Sequence, residues 1–161
     1  MKTIELSKGK VALVDDGDYN YLSQWKWHTL ECKSGCWYAV RNYTDNDGKR
    51  TLMLMHRELL PVDGKLDVDH INGDGLDNRK ENLRVCKHQH NMMNMKKSKS
   101  NTSGYKGVSW HIKQKKYNAY IKVEGKRISL GSFDDAKKAA LAYNEAAKRF
   151  FGDFAKINLV P

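Results

Sequence analysis

The sequence lacks any apolar run long enough to span a membrane, and its first residues form no apolar signal-peptide core. It has only three cysteines in 161 residues, and an odd number argues against a disulfide framework. We therefore expect a cytoplasmic protein with no membrane partner. With 40% hydrophobic and 30% charged residues, the chain can hold one ordinary domain or two small ones.

Acidic residues are scarce in one stretch, residues 96–130, which holds 10 Lys and Arg against Glu124 alone. Residues 1–95 hold 14 basic and 14 acidic residues, and residues 131–161 hold five and four, so this stretch carries nearly all of the net charge of +10. A lysine-rich run is often a solvated face or a disordered tail. Because this one also contains Trp110, several tyrosines and a strand-like alternation, it predicts a folded basic surface that binds nucleic acid.

A strand, a turn, a second strand and a helix are predicted in succession in the middle of the chain. Apolar residues alternate over residues 66–70 as in a short strand, and the Gly, Asn and Asp residues that follow break the pattern as turns do. Residues 83–86 can form the second strand and residues 88–97 the helix. We expect the two strands to pair as a hairpin, with the helix next to it.

That hairpin and helix would bring Asp69, His70 and Asn91 to one place. A carboxylate and an amide oxygen suit a hard divalent cation such as Mg²⁺, with water and substrate phosphate as the other ligands. An adjacent imidazole can take a proton from water near neutral pH. A metal and a base are the minimum needed to hydrolyse a phosphodiester.

The residues from Asp69 to Asn94 resemble the HNH nuclease motif, the ββα-metal fold of phage homing endonucleases. The likeness lies in spacing: twelve positions separate His70 from Asn82, and nine more separate Asn82 from Asn91. The resemblance implies that Asp69 and Asn91 hold one Mg²⁺ or Mn²⁺ per chain and that His70 is the general base. It also implies that Asn82 is a structural residue of the catalytic site, which ties the hairpin loop together and helps orient the base.

Two histidines, His88 and His90, lie beside the third position of the motif. If either were the ligand, a softer metal such as Zn²⁺ or Ni²⁺ would be more plausible. Together with Cys32, Cys36 and Cys86 they could instead form a structural zinc site. The cysteines contain no C-x₂-C pair, so we expect free thiols.

Residues 1–95 are predicted to form one domain, a β-rich scaffold that leads into the HNH motif at about residues 66–97. Its strand candidates include a hairpin around Asn46-Asp47-Gly48, which is a turn signal. Similar leaders precede the motif in phage endonucleases and end in a His-Arg pair like the one here. Arg57, the second member of that pair, is a candidate phosphate contact.

Residues 96–103 are polar and basic and are predicted to be a linker. Lys96, Lys97 and Lys99 in or beside it could lie along a DNA backbone. The remaining residues, 104–161, are predicted to form a second domain.

This second domain should begin with three short strands, at residues 107–111, 117–123 and 127–132, of which the last two form a tight hairpin. A helix should follow, capped by Asp134 and ended by Gly152. Small alanines recur on one face of that helix, which lets it sit close to a sheet.

The second domain resembles the Apetala-two-type (ethylene-response-factor) DNA-binding domain. The matching residues are Gly104-Tyr105-Lys106-Gly107-Val108, Ala119-Tyr120-Ile121, Leu130-Gly131-Ser132-Phe133, Ala139-Ala140, Ala142-Tyr143-Asn144 and Ala155-Lys156-Ile157-Asn158. In that family a three-stranded sheet backed by the helix enters the major groove. Carried onto this chain, the sheet contacts would be Lys106, Ser109, Tyr120, Lys122, Arg127, Ser129 and Ser132. Three further lysines fit backbone contacts, which position a protein without reading sequence: Lys113, Lys115 and Lys116.

The predicted fold class is α+β: a small β-rich unit leading into a ββα-metal HNH nuclease, then a three-stranded antiparallel sheet packed on one helix. The predicted function is a Mg²⁺-dependent endonuclease of the homing type that acts on double-stranded DNA. A monomer should nick one strand, and a dimer is not excluded. One alternative is a DNA-binding regulator with an inactive nuclease motif. The other is a Zn²⁺-stabilised RNA binder, but the chain lacks the exposed aromatic pair of an RNA-recognition motif, which argues against it.

Overall fold

The protein is described by a computed structural model that covers residues 1–32, 35–95, 97 and 100–161. This part of the chain is a mixture of helices and strands, with four small antiparallel sheets and four α-helices. No helix within these residues is long and apolar enough to cross a membrane. Two of the predicted DNA contacts lie outside the described residues: Lys96 and Lys99.

Two compact units make up the chain, Met1–His88 and Gln89–Pro161. The division falls at the start of the helix that follows the predicted nuclease hairpin. The domain limits given by the sequence (residues 1–95, 96–103 and 104–161) remain a prediction.

The first unit contains a two-stranded sheet (β1–β2), a three-stranded sheet (β3–β4–β5) and the predicted hairpin (β6–β7). Hydrophobic residues of the first two sheets and of the first two helices form one core, in which Val14, Leu22 and Met55 are fully buried. The elements are β1 (Lys2–Glu5), β2 (Val11–Val14), α1 (Asp16–Leu22), β3 (His28–Glu31), β4 (Trp37–Thr44), β5 (Arg50–Leu54), α2 (Met55–Leu59), β6 (Leu66–His70) and β7 (Leu83–Lys87).

The loop between β6 and β7 is fixed on this scaffold. Leu13 of β2 donates its N–H to Leu76 O and accepts from Asn78 N, both at 2.8 Å. Gly75 lies so close to β4 that a Cβ atom there would overlap the carbonyl of Trp37 and approach the ring of Tyr38 to 2.5 Å. The N-terminal sheets therefore determine the position of the loop that carries part of the predicted site.

Cys32 and Cys36 form a disulfide across the connection between β3 and β4, with a Cα–Cα distance of 5.3 Å. The expectation of free thiols is wrong for these two residues. The antiparallel pairing of β3 with β4 brings the ends of the strands within bridging distance, which counting cysteines does not reveal. Two of the cysteines of the hypothetical zinc site are thus joined in a disulfide and offer no thiolate to a metal. The third, Cys86, is buried and is not part of that disulfide.

The second unit consists of a three-stranded antiparallel sheet in the order β10–β9–β8, a long helix and most of a short one. The predicted alanine face of the long helix is confirmed: Ala139, Ala140 and Ala147 are completely buried, the first two against Val108 and Ala119. The elements are α3 (His88–Asn94), β8 (Val108–His111), β9 (Lys116–Val123), β10 (Lys126–Phe133) and α4 (Ala136–Phe151).

The cap of α4 is Asp135, whose side chain accepts a hydrogen bond of 2.8 Å from the backbone N–H of Lys137. The prediction of Asp134 as the cap is wrong by one residue because the helix begins only at Ala136. Asp134 instead forms an ion pair of 3.5 Å with Lys116. Gly152 ends the helix with a positive φ of 51°, as predicted.

Candidate functional site

The hairpin β6–β7 and the short helix α3 form where the sequence predicts them. In the hairpin Asp69 lies opposite Arg84 and His70 lies opposite Leu83. Both Asp69 and His70 are only 5% exposed, although they are polar and stand at the end of a strand. Burial of a carboxyl group and an imidazole side by side needs specific partners, because an unpaired buried charge is costly.

The partner of Asp69 is Arg84 on the neighbouring strand. The Arg84 guanidinium donates from Nε at 2.9 Å and from a terminal nitrogen at 2.8 Å, both to Asp69 Oδ2. This pair holds the Asp69 carboxylate in one orientation.

Asn82 ties the loop of the hairpin together. Its Oδ1 accepts from the backbone N–H of Asn72 at 3.0 Å, and its Nδ2 donates to the carbonyl of Asp77 at 2.7 Å. Its own carbonyl accepts from Ile71 N, the residue that follows His70. Asn82 thus fixes the backbone at both ends of the loop.

A second amide, that of Asn78, meets the ring of His70. Asn78 is completely buried, and its Oδ1 lies 3.5 Å from His70 Nε2, the outer limit of a hydrogen bond. Burial is the main influence on His70 and lowers its pKa, while this amide and nearby carboxylates oppose the shift. The imidazole is therefore neutral at neutral pH, which is the state a general base requires.

Two aromatic residues of the scaffold lie against the same imidazole. The ring centroid of His56 is 4.8 Å from that of His70 in an edge-to-face arrangement, and the Tyr38 ring lies 5.9 Å from His70. His56 is 6% exposed and is the second residue of α2. Sequence reasoning missed Asn78 and Tyr38, and noted His56 only as part of the His-Arg pair, because each reaches His70 only through tertiary packing.

Stability should fall in mild acid because of the two buried histidines. Burial, reinforced by the charge of His70, lowers the pKa of His56 to about 3, and the pKa of His70 is also lowered. Between pH 6.5 and about 3 the unfolded chain binds protons that the folded chain does not. The free energy of unfolding is thus greatest above the unfolded pKa and decreases as pH falls, by up to about 1.4 kcal/mol per pH unit for each histidine.

Urea unfolding at about pH 7.5 and about pH 5 measures this slope. A His56→Phe variant, which cannot titrate at that position, should show a shallower one. Equal slopes for the variant and the wild type would contradict a neutral, buried His56.

Asn91, the third residue of the predicted site, lies on α3 within the second unit. The two histidines considered as alternative ligands have other partners. His88 Nδ1 is 2.8 Å from Asp67 Oδ2, and the His90 ring packs on Phe154 with centroids 4.5 Å apart. Within the described ranges no three His, Cys, Asp or Glu side chains are grouped as a metal site, so a zinc centre made of such residues has no support.

Most of the predicted DNA contacts in the second unit share one face of the sheet. Directly paired residues lie on the same side of a sheet, and the register pairs Lys122 with Arg127 and Tyr120 with Ser129. Asn118 pairs with both Ser109 and Ser132, and the Ser132 hydroxyl donates to its Oδ1 at 2.8 Å. This face is turned away from α4, because Ala119 and Ile121 between these positions are buried. Asn118 lies at the centre of this face, and the sequence analysis did not include it among the DNA contacts.

Arg127 and Tyr120 also contact each other on this face. The guanidinium carbon lies 3.6 Å from the centroid of the ring, a cation–π arrangement. The ring therefore holds the Arg127 fork in place at the surface.

Lys106 is engaged inside the second unit. Its ammonium donates to the carbonyls of Met93 and Met95 at the end of α3, each at 2.6 Å. Burial, and then the charge of Lys156, lowers its pKa to about 8. Because Met93 also packs on the core cluster that contains Ile121, α3 is held on the sheet by both contacts.

The remaining predicted contacts lie at or near the surface. Lys97, Lys113 and Lys115 are exposed, and Lys116 is half-buried beside its acidic partner. Arg57 in the first unit forms an ion pair of 3.3 Å with Asp67.

Comparison with known proteins gives two family matches. Residues 60–93 match the family model described as HNH endonuclease, and residues 103–152 match the AP2 domain. A protein described as an uncharacterized HNH endonuclease, from Acanthamoeba polyphaga mimivirus, is 33% identical over 159 residues, which is 95% of this chain and 77% of that protein. Protein 3.8 of Escherichia phage T7 is 34% identical over 96 residues, which is 60% of this chain and 78% of that protein.

The chain belongs to the HNH endonuclease family and carries an AP2 DNA-binding domain after the HNH domain. The AP2 part is shared with plant proteins. An AP2-like ethylene-responsive transcription factor of Arabidopsis thaliana is 40% identical over 62 residues, or 38% of this chain and 13% of that protein.

Proposed function

We propose that this protein is a Mg²⁺-dependent endonuclease of the homing type, which hydrolyses a phosphodiester of double-stranded DNA held by its AP2 domain. The observation that carries the proposal is the buried pair Asp69–His70, fixed by Arg84 and Asn78 in a chain of the HNH family. Both groups are costly to bury, and buried ionisable groups of this kind cluster at functional sites.

His70 is the general base of this proposal. With the ring hydrogen on Nε2, the imidazole donates to Asn78 Oδ1, and Nδ1 is the nitrogen proposed to accept a proton from water. The water oxygen then attacks phosphorus, and the bond to the 3′ oxygen breaks. Asn82 keeps the hairpin loop closed, so the imidazole needs no rearrangement before it takes the proton.

Asp69 and Asn91 are the residues proposed to hold one Mg²⁺, or Mn²⁺, per chain. One carboxylate and one amide oxygen, completed by water and DNA phosphate, suit these hard cations and not zinc. A bound cation supplies positive charge that stabilises the phosphorane and the departing oxygen. Arg84 prepares Asp69 for this role by holding its carboxylate in one orientation.

The sheet face of the second unit is proposed to lie in the major groove of DNA, which is what the resemblance to the plant domains implies. Lys122, Arg127 and Tyr120 would meet base edges and phosphates, while Lys113, Lys115 and Lys116 would contact the backbone. Lys97 and Arg57 are proposed as further phosphate contacts. One metal site per chain implies that a monomer nicks one strand, in the host-cell cytoplasm if the protein acts where its viral relatives do.

One feature favours the alternative of a DNA-binding regulator with an inactive motif. The double hydrogen bond from Arg84 already engages Asp69 Oδ2, which would compete with a metal for that oxygen. In this alternative the AP2 sheet would supply the whole function, and cutting would be absent.

Nicking of supercoiled plasmid separates the two functions. We expect open-circular product with Mg²⁺ and none with EDTA, at protein concentrations at which a gel-shift experiment shows binding. Binding without nicking over a range of divalent cations and target sequences would refute the nuclease and leave the regulator.

A further inference from the structure

Two buried polar atoms beside His70 have no hydrogen-bond partner among the described residues: Nδ1 of His56 and Nδ2 of Asn78. Leaving such an atom unsatisfied costs about 1–3 kcal/mol, and folded proteins contain few of them. Of the five in the described part of the chain, these two belong to residues that contact the His70 ring. Unsatisfied polarity is therefore concentrated around the proposed base.

Packing alone does not explain an imidazole at position 56. The side chain is 6% exposed and lies against the rings of Tyr38 and His70, 5.7 and 4.8 Å away. A phenylalanine would provide an aromatic ring without an unsatisfied nitrogen. Burial also keeps His56 uncharged at neutral pH, so it provides no ion pair. What remains is a neutral hydrogen-bonding nitrogen next to the base.

We propose that His56 is a positioning residue for His70: its ring sets the edge-on packing of the base, and its Nδ1 holds an internal water that fixes the orientation of the base. Such a water needs two to four polar partners. Nδ1 of His56 and Nδ2 of Asn78 supply two, and Asn78 in turn meets the His70 ring. The proposal rests on the proposed function, in which His70 accepts the proton.

The test compares variants that separate the ring from the nitrogen. His56→Phe keeps an aromatic ring and removes Nδ1, whereas His56→Asn places an amide near the position of Nδ1. Met55→Leu is the matched control, because Met55 is the preceding residue of α2 and is fully buried in the hydrophobic core of the first unit. If His56→Phe does not fold, His56→Leu takes its place.

We expect His56→Phe to lower the single-turnover nicking rate by at least about tenfold, the loss typical of residues that orient a reacting group. Its melting temperature should not fall, and its affinity for DNA should stay that of the wild type. His56→Asn should recover most of the lost rate, and Met55→Leu should cut normally. A wild-type rate in folded His56→Phe, or no recovery in His56→Asn, would overturn the proposal.

Ring-nitrogen NMR of His70 gives a second readout that does not depend on cutting. The His70 signals should shift in His56→Phe and stay in place in Met55→Leu. Unchanged signals in His56→Phe would overturn the positioning role. If the His70 signals shift in His56→Phe but the wild-type protein never nicks DNA, the proposed nuclease is refuted and the contact between His56 and His70 is retained.

Discussion

Replacing His70 by alanine is expected to lower the rate of DNA nicking by about 10²–10⁴-fold, the usual contribution of a general base. Affinity for DNA should change by less than about twofold, or roughly 0.4 kcal/mol, because the proposed binding residues lie almost entirely in the second unit. Nicking under single-turnover conditions and gel-shift titration of the same preparation measure the two quantities separately.

His88→Ala is the matched control for this experiment. His88 is also a histidine of the HNH region, but it is an exposed residue paired with Asp67. It should cut normally, and a loss of cutting confined to His88→Ala would move the ligand assignment to that residue.

Asp69 needs a different substitution. Removing its side chain would leave Arg84 without its buried partner, and breaking a buried pair costs about 3–5 kcal/mol. Asp69→Asn keeps the size and a hydrogen-bond acceptor for Arg84, so it tests the role in metal binding with less damage to the fold. We expect it to bind DNA and to lose cutting at every Mg²⁺ concentration.

Gly107→Ala is expected to destabilise the second unit by about 2–5 kcal/mol. Its φ of +74° is a left-handed conformation that costs other residues about 1–2 kcal/mol. A Cβ atom would also overlap the ring of Tyr143 and lie 2.7 Å from the carbonyl of Tyr120, and overpacking adds about 1–3 kcal/mol. For a small domain this is a large share of the total stability, so DNA binding should fail at moderate temperature.

Gly104→Ala isolates the conformational part of that effect. Gly104 has nearly the same φ, +82°, but nothing lies within 4 Å of the position of its Cβ. Thermal unfolding should show a drop of about 1–2 kcal/mol for this variant and a clearly larger one for Gly107→Ala. Equal losses would mean that Tyr143 moves aside without cost.

The local elements of the site could be predicted from the sequence. Alternation over residues 66–70 placed the strand that ends in His70, and the run of small residues in the second domain placed the buried face of α4. Both patterns repeat with the period of the element, so they are visible without tertiary structure. The predicted N-cap of α4 was wrong by one residue because two aspartates, Asp134 and Asp135, are adjacent in the sequence.

Contacts between distant segments could not be predicted in this way. His56 reaches His70 across fourteen positions, and Asn78 meets the same ring from within the loop. Periodicity says nothing about which side chains a loop folds against. The Cys32–Cys36 disulfide was missed for a related reason, since it depends on how two strands pair and not on how many cysteines there are.

The lysine that closes the end of α3 has a consequence for building chimaeras of this protein. A graft that joins residues 1–95 to another DNA-reading module would discard Lys106 and the surface on which Met93 rests. The transplanted nuclease would then carry a helix with a bare carboxyl end and an uncovered methionine. Because everything from Gln89 onward includes Asn91, target specificity should be changed by substitutions on the sheet face and not by exchange of the module.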